Sequence, residues 1–391
     1  MNGYRLTALD EVRAATAGVC ATLVGIGLAR FAYTPLLPAL IEGGWFSPPD
    51  AAYLAAANLV GYLAGAMGAR SVMGRVRPTK LVRAMMLVAA ITFLACSLRL
   101  GFPWFVFWRF LSGLSGGLLM VAVAPTVLAV VRADRRGRIG GIMFAGVGLG
   151  IVAAGTLVPQ LLRVGLVATW RGLGVLALLL TAFAWTRWPE DAPLTRRTAQ
   201  ARDLPSRTTL AVTLVYALFA LGLLPHMVFF VDFVARGLGW GVSAGAAFWV
   251  LYGLGAVAGP FAAGWLGDRL GFARALSIGL ALQLTVVLIP VLAPYTLPLA
   301  ISALVMGAFT PGMPSLVLGR LAEIAHGRDD HAAWAFATTA FALTQAVGAY
   351  GYSWLYARSH GYAALFLAAA VALMAALAVS IIATGRQGRA V

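Results

Sequence analysis

Residues 188–207 read WPEDAPLTRRTAQARDLPSR, the longest polar stretch in the chain. Prolines, both signs of charge and few apolar side chains mark it as a linker. The sequence on either side of it decides the fold. Apolar runs of about 20 residues or more follow one another, each long enough to cross a bilayer as a helix. They are not the ten-residue alternating segments of a membrane barrel. Twelve spans can be placed, near 14–41, 51–70, 79–99, 104–131, 139–163 and 168–188 before the linker, and near 209–234, 243–266, 275–293, 296–320, 331–357 and 361–384 after it. We number them 1 to 12. The predicted organisation is a six-helix bundle over 1–188, a linker over 189–208 and a second six-helix bundle over 209–391. Several runs exceed the roughly 20 residues a bilayer requires, so tilt or protrusion is expected.

Composition excludes the other broad classes. Of 391 residues, 61% are hydrophobic and 11% are charged, against about 25% charged in a soluble domain. A soluble chain this apolar would expose large sticky patches. Disorder requires a polar chain poor in aromatics, and the 45 glycines show no three-residue period. The net charge of +16 would suggest nucleic acid in a soluble protein. Here the basic residues cluster between apolar runs, the pattern of cytoplasmic loops. With the N-terminus inside, 22 of the 29 basic residues fall on the cytoplasmic side, five fall opposite, and Arg30 and Arg109 fall within spans. Both termini and the linker are therefore predicted to be cytoplasmic, and nucleic acid is not an expected partner. The run from Ala14 to Ile41 is about twice the apolar core of a cleaved signal and reads as a retained span. Cys20 and Cys96 lie inside apolar runs, as packing residues do, with no metal spacing around them. No cofactor is implied.

The halves resemble each other. Gly27 and Trp45 recur 195 residues later as Gly222 and Trp240, and Gly61 and Gly65 recur 194 residues later as Gly255 and Gly259. A shared offset across two loops points to internal duplication. Parallel six-span repeats are a known transporter plan, with the substrate site between the halves.

Three motifs carry a family resemblance. After span 8 the chain reads Gly264-Trp265-Leu266-Gly267-Asp268-Arg269-Leu270-Gly271. An acid at such a helix end can pair with an arginine or a helix N-terminus and hold one conformation closed. The loop after span 2 lacks the corresponding acid, because none occurs between Asp50 and Asp134. Span 4 contains Arg109-Phe110-Leu111-Ser112-Gly113, a basic residue four positions before a glycine. Span 5 has Gly137, Gly146 and Gly150, then Ile151 and Ala154-Gly155 in place of the proline and glycine of an antiporter motif. With twelve spans and a central linker, these resemble the major facilitator superfamily. Span 1, Gly25-Ile26-Gly27-Leu28-Ala29-Arg30-Phe31-Ala32-Tyr33-Thr34-Pro35-Leu36-Leu37-Pro38, is similar to its YbfB/YjiJ-type branch. The resemblance implies the bacterial inner membrane and a monomer among membrane lipids.

Candidate site residues follow from the cost of burying charge. A cation inside a span costs at least about 2.5–3.5 kcal/mol, so it usually faces a cavity or a partner. Arg30 lies about 11 residues, or roughly 16 Å of helix, from the end of span 1, too deep for easy snorkelling. Helical spacing puts Gly27, Tyr33 and Thr34 on its face, and Pro35 and Pro38 should bend the helix just beyond it. Arg109 lies nearer a span end, where snorkelling competes with a binding role. In span 7, His226 could carry a proton, whereas Asp232 with Arg236 one turn later reads as a surface ion pair. Asn58 and Gln345 are the preferred amide contacts, since spans 2 and 11 flank the cavity in the family resembled. Tyr33, Phe230, Trp249 and Tyr252 could form an aromatic wall. His326, Asp329, Asp330 and His331 could bind metal, but Arg328 and the loop setting favour a solvated loop.

Two permanent cations against one acid predict a cavity that attracts a small organic anion. The expected function is secondary transport by alternating access, with proton coupling through His226 or Asp232 as a secondary expectation. A lipid or drug exporter of the same fold is the nearest alternative. A membrane-embedded enzyme would need a second cluster of His, Asp or Glu, and an ATP-driven pump would need a Gly-Lys-Ser/Thr loop; the sequence contains neither.

Overall fold

A computed structural model describes residues 8–132, 135–189, 206–325, 331–359 and 361–387. Most of the predicted linker, Asp134 and the acidic His326–Asp330 loop lie outside the described residues.

Every regular element among the described residues is helical. Twelve segments follow the predicted spans closely. Span 1 runs over Leu9–Glu42, span 2 over Pro48–Met73, span 3 over Pro78–Cys96, span 4 over Phe102–Leu128, span 5 over Arg136–Leu162 and span 6 over Leu166–Trp185. The second half continues with Arg207–Gly237, Val242–Leu270, Phe272–Leu292, Thr296–Ile324, His331–Ser359 and Ala363–Gln387. Eleven of them are long and apolar enough to cross a membrane. The remaining one, span 11, is 29 residues long; Thr338, Thr339, Thr344, Gln345 and Ser353 lower its hydropathy.

Local chemistry sets the helix ends. Pro48 and Pro78 stand at first positions, where a missing N–H costs nothing. Ser206 accepts a hydrogen bond from the Thr209 N–H at 3.1 Å and so caps span 7. Span 8 gives way to span 9 through a single residue, Gly271, at φ 79°. That conformation favours glycine and gives the last residue of the Gly264–Gly271 motif its physical meaning.

The chain folds as two compact units, one of residues 1–45 and 57–198, the other of residues 46–56 and 199–391. Within each unit the same helix–helix contact recurs. A Cβ built on Gly61 or Gly65 of span 2 would collide with the backbone of Phe110 or Leu114 in span 4. Exactly the same offset of 194 residues on both partners brings Gly255 and Gly259 of span 8 against the backbone of Leu304 and Ala308 in span 10. The reverse contact repeats too: Gly113 lies on the Asn58 carbonyl, and Gly307 lies on that of Tyr252. Small residues let the backbones approach this closely. Gly27 and Gly222 do not share an environment, since Gly27 packs on Gly150 and Gly222 on Leu373. The duplication is thus written most clearly in the pairing of second and fourth spans.

Replacing Gly61 or Gly255 with alanine should destabilise the protein by about 1–3 kcal/mol, since the packed backbone opposite cannot yield. Gly68→Ala, at a position with open space around its Cβ, should be neutral. Thermal unfolding of the purified variants in detergent measures the difference.

Candidate functional site

Span 1 is not a continuous α-helix. It is α-helical over Ala8–Thr22, winds as a π-helix over Leu23–Leu28, and resumes α geometry at Tyr33–Glu42. The N–H groups of Ala29 and Phe31 reach back five residues, to the carbonyls of Val24 at 3.0 Å and Ile26 at 3.4 Å. Pro35 explains part of this, since its ring crowds the carbonyl four residues earlier, at Phe31. The irregular stretch precedes and includes Arg30, and Pro38 sits inside the α-helix Tyr33–Glu42.

Side chains from span 4 hold this stretch. The Ala29 carbonyl accepts hydrogen bonds from Arg109 Nη1 at 3.0 Å and Ser112 Oγ at 2.9 Å. Arg109 is 2% exposed, with its guanidinium 4.3 Å from the centre of the Tyr33 ring. Asn58 Nδ2 donates to the Arg109 carbonyl at 3.1 Å. Arg109 Nε and Asn58 Oδ1 have no hydrogen-bond partner among the described residues. Snorkelling of Arg109 is therefore excluded in this conformation; its charge is met by a carbonyl dipole and a ring. Arg30, the next residue after the clasped carbonyl, is half-buried. Its guanidinium lies 4.9 Å from the Tyr62 ring centre and 5.3 Å from that of Phe31. Tyr33, expected on the face of Arg30, also meets Arg109 of span 4.

Span 7 is broken in a comparable way. After Arg207–Leu224 come a π turn over Pro225–Phe229, a short α stretch Phe230–Asp232 and a second π turn over Phe233–Gly237. His226 is fully buried, with Nε2 2.7 Å from Ser302 Oγ. Ser302 Oγ donates its one proton to the Val286 carbonyl at 2.7 Å. It must therefore accept from His226, which assigns the neutral ring's proton to Nε2. Nδ1 has no partner among the described residues, and the ring stacks on Phe230 at 4.8 Å with Phe366 edge-on at 5.2 Å.

The other candidates in this unit form separate groups. Trp249 and Tyr252 stack at 4.6 Å, and the Tyr252 hydroxyl bonds to Thr310 Oγ1. Gln345 Nε2 approaches Met227 Sδ at 3.9 Å. Phe230, Trp249 and Tyr252 are fully buried.

Asp232 and Arg236 do pair, at 2.6 Å, but the expected surface pair is corrected: the carboxylate is fully buried. It also accepts from the hydroxyls of Tyr362 at 2.7 Å and Tyr356 at 3.2 Å. Neither tyrosine stood out in the sequence, because each lies more than 120 residues from Asp232 and no local spacing links them.

In the loop motif, Asp268 is exposed and has no ion pair among the described residues, while Arg269 lies over the Trp265 ring at 4.4 Å. Glu323 fills the acid's role at the helix end: Oε1 accepts the Phe272 N–H at 3.0 Å, and Oε2 pairs with Arg320 at 2.8 Å. In the first unit, buried Glu11 accepts the Arg132 N–H at 3.2 Å and pairs with Arg135 at 3.1 Å. No group of three or more potential metal ligands occurs among the described residues.

Residues 22–380 match the family model described as "Uncharacterised MFS-type transporter YbfB". The chain belongs to this family. It is a multi-pass membrane transporter of the major facilitator superfamily and not an enzyme. It matches no curated protein sequence. Among solved structures it is similar to a bacterial homolog of the human lysosomal transporter Spinster in an inward-facing, unoccupied conformation. That match has 15% identity and a TM-score of 0.65, and covers 96% of each chain. It is also similar to a D-xylose–proton symporter, at 17% identity and a TM-score of 0.68, over 94% of this chain and 96% of that one. At these identities the likeness concerns the fold.

Ser112→Ala should cost about 1 kcal/mol and Arg109→Leu about 1.5–3 kcal/mol, the usual range for neutral and charged hydrogen bonds. Thermal unfolding checks both. An Arg109→Leu protein as stable as the wild type would show that the Ala29 carbonyl does not depend on this guanidinium.

Proposed function

We propose that this protein is a secondary active transporter that moves a small organic anion across the bacterial inner membrane by alternating access, with proton coupling. In this reading the units correspond to 1–188 and 209–391, both termini are cytoplasmic, and the protein works as a monomer. The observation that carries the anion class is Arg109. It is a buried cation held by a carbonyl and an aromatic ring, with no described carboxylate beside it. Asp232, the one fully buried acid of the second unit among the described residues, is already taken up by Arg236, which leaves the cationic character of the first unit in place. An organic or aromatic carboxylate suits such a field.

Arg30 is the proposed anion contact, with Tyr33, Asn58 and Arg109 behind it. His226, Phe230, Trp249, Tyr252 and Gln345 are the proposed contribution of the second unit. Asp268, Arg269, Gly264 and Gly271 are the proposed gate. The D-xylose–proton symporter shares the fold and couples its solute to protons by its name, which supports the coupled reading without indicating a sugar.

Uptake into proteoliposomes should favour aromatic and aliphatic monocarboxylates over their neutral amides and over amines of the same size. Arg30→Ala should lower that uptake at least about tenfold, the effect of losing one charge-assisted contact of roughly 1.4 kcal/mol or more. A preference for the amines would overturn the anion assignment.

A further inference from the structure

The start of span 3 reverses the usual arrangement of charge along a helix. A helix N-terminus is the positive end of the backbone dipole and favours acids. Here Arg75 and Arg77 precede the helix Pro78–Cys96, and Lys80 and Arg83 lie in its first two turns. No side chain caps this end. No acidic residue occurs in the sequence between Asp50 and Asp134, and none of the four cations is in an ion pair among the described residues. Arg75, Arg77 and Lys80 are exposed, where salt and water screen them. Arg83 is half-buried, and its Nε is buried with no hydrogen-bond partner among the described residues.

The end of span 6 stands beside it. The Thr79 hydroxyl donates to the Pro189 carbonyl at 3.1 Å, which ties the first turn of span 3 to the residues just past span 6. The Arg83 guanidinium lies 5.4 Å from the centre of the Trp185 ring, and Trp185 is 42% exposed. Trp188, next to Pro189, is 6% exposed, and its indole N–H has no acceptor among the described residues. Arg187 differs, because it folds back on its own helix, over the Phe183 ring and onto the Phe183 carbonyl. Arg83 and Trp188 thus leave two donors open at one corner of the first unit.

The surface that runs from this corner along both helices is apolar. Leu87 and Ile91 follow Arg83 at intervals of four residues on span 3, and both are exposed. Val175, Leu179 and Phe183 form a similar exposed stripe on span 6. Arg83 stands five residues, or roughly 7.5 Å of helix, inside Pro78. Trp185, beside it, marks the headgroup level at which tryptophans gather in membrane proteins.

We propose that this corner binds the phosphate of an anionic phospholipid in the linker-side leaflet. Arg83 takes the phosphate, and Lys80 one turn earlier and the uncapped end of span 3 add positive potential. A guanidinium lying on a ring can still donate bidentately along its edge to phosphate oxygens. The exposed stripes of spans 3 and 6 take the acyl chains. Free phosphate would meet the same cations but gain nothing from those stripes, so the lipid is the occupant that the whole surface fits. The site is independent of the solute and of its coupling.

Native mass spectrometry of the full-length protein in detergent, titrated with phosphatidylglycerol, cardiolipin and phosphatidylcholine, tests this. Both anionic lipids should bind at least about tenfold more tightly than phosphatidylcholine. Arg83→Gln should weaken the tightest anionic binding about tenfold, the loss of one charge-assisted contact of roughly 1.4 kcal/mol. Lys80→Gln, at an exposed residue, keeps the test open if Arg83→Gln misfolds, and should weaken binding about fivefold, the roughly 1 kcal/mol of one surface cation. Arg163→Gln, at an exposed arginine on the linker-distal side, should leave binding unchanged. Inorganic phosphate in large excess should not displace the lipid. Equal binding of the three lipids, a folded Arg83→Gln or Lys80→Gln protein that keeps the wild-type preference, or displacement by inorganic phosphate would overturn the proposal. So would an anionic preference that appears only when Glu190→Gln and Asp191→Asn are introduced, because the linker's own acids would then be what holds Arg83.

Discussion

A lipid bilayer offers a broken helix no water to complete its backbone hydrogen bonds, and the architecture of this protein depends on that constraint. Spans 1 and 7 both abandon α geometry at depth, and a non-helical stretch at that depth survives only where protein satisfies it. In the first unit the Ala29 carbonyl is taken by Arg109 and Ser112 from span 4. In the second unit the π-wound stretch is held through side chains: His226 meets Ser302 of span 10, and Asp232 meets Tyr356 and Tyr362. Spans 4 and 10 can reach spans 1 and 7 this way because their glycines bring them tightly onto spans 2 and 8. A bulky residue at Gly113 or Gly307 would meet the backbone opposite.

This arrangement gives the buried charges different meanings. Arg109 has a structural duty, since it satisfies a carbonyl that hydrocarbon could not. A permanently charged guanidinium is an expensive way to satisfy one carbonyl, and Ser112 already supplies a neutral donor to the same oxygen. The charge itself is thus surplus to the structural need, which supports a second role in the field felt by a solute. Arg30 differs, being half-buried and held over aromatic rings. Guanidinium on a ring keeps its charge while its planar edge can still donate bidentately to a carboxylate.

Much of the fold was legible in the sequence because hydropathy acts over whole spans. The twelve segments and the repeat of Gly61 and Gly65 as Gly255 and Gly259 required only composition and offset. What escaped were facts that depend on register or on distant partners. The π turn at Leu23–Leu28 carries no mark in the hydropathy pattern, and neither does the placing of Tyr33 over Arg109 of span 4. Tyr356 and Tyr362 carry no one-dimensional mark that ties them to Asp232. Glu323 took the helix-capping duty expected of Asp268, because a side chain 51 residues beyond Phe272 reaches that N–H once spans 9 and 10 pack. Glu11 precedes the predicted start of span 1, yet it is buried and accepts the Arg132 N–H from beyond the end of span 4.

The two units share a backbone plan but differ in how their polar groups are discharged, and that difference is where function has room to arise. Each second–fourth span pair repeats to the residue, because close backbone packing tolerates little drift. The side chains over that scaffold do not repeat: Asn58 in one unit stands where Tyr252 stands in the other. Asn58 leaves its amide oxygen without a partner among the described residues, whereas the Tyr252 hydroxyl bonds to Thr310. A buried acceptor left open costs about 1–3 kcal/mol, a cost that a purely structural amide would have been free to avoid. The duplicated framework is therefore the rigid part of the molecule. Among its unmatched polar groups, Arg109 Nε and Asn58 Oδ1 lie beside the clasped carbonyl of span 1, where we propose that the chain meets its solute.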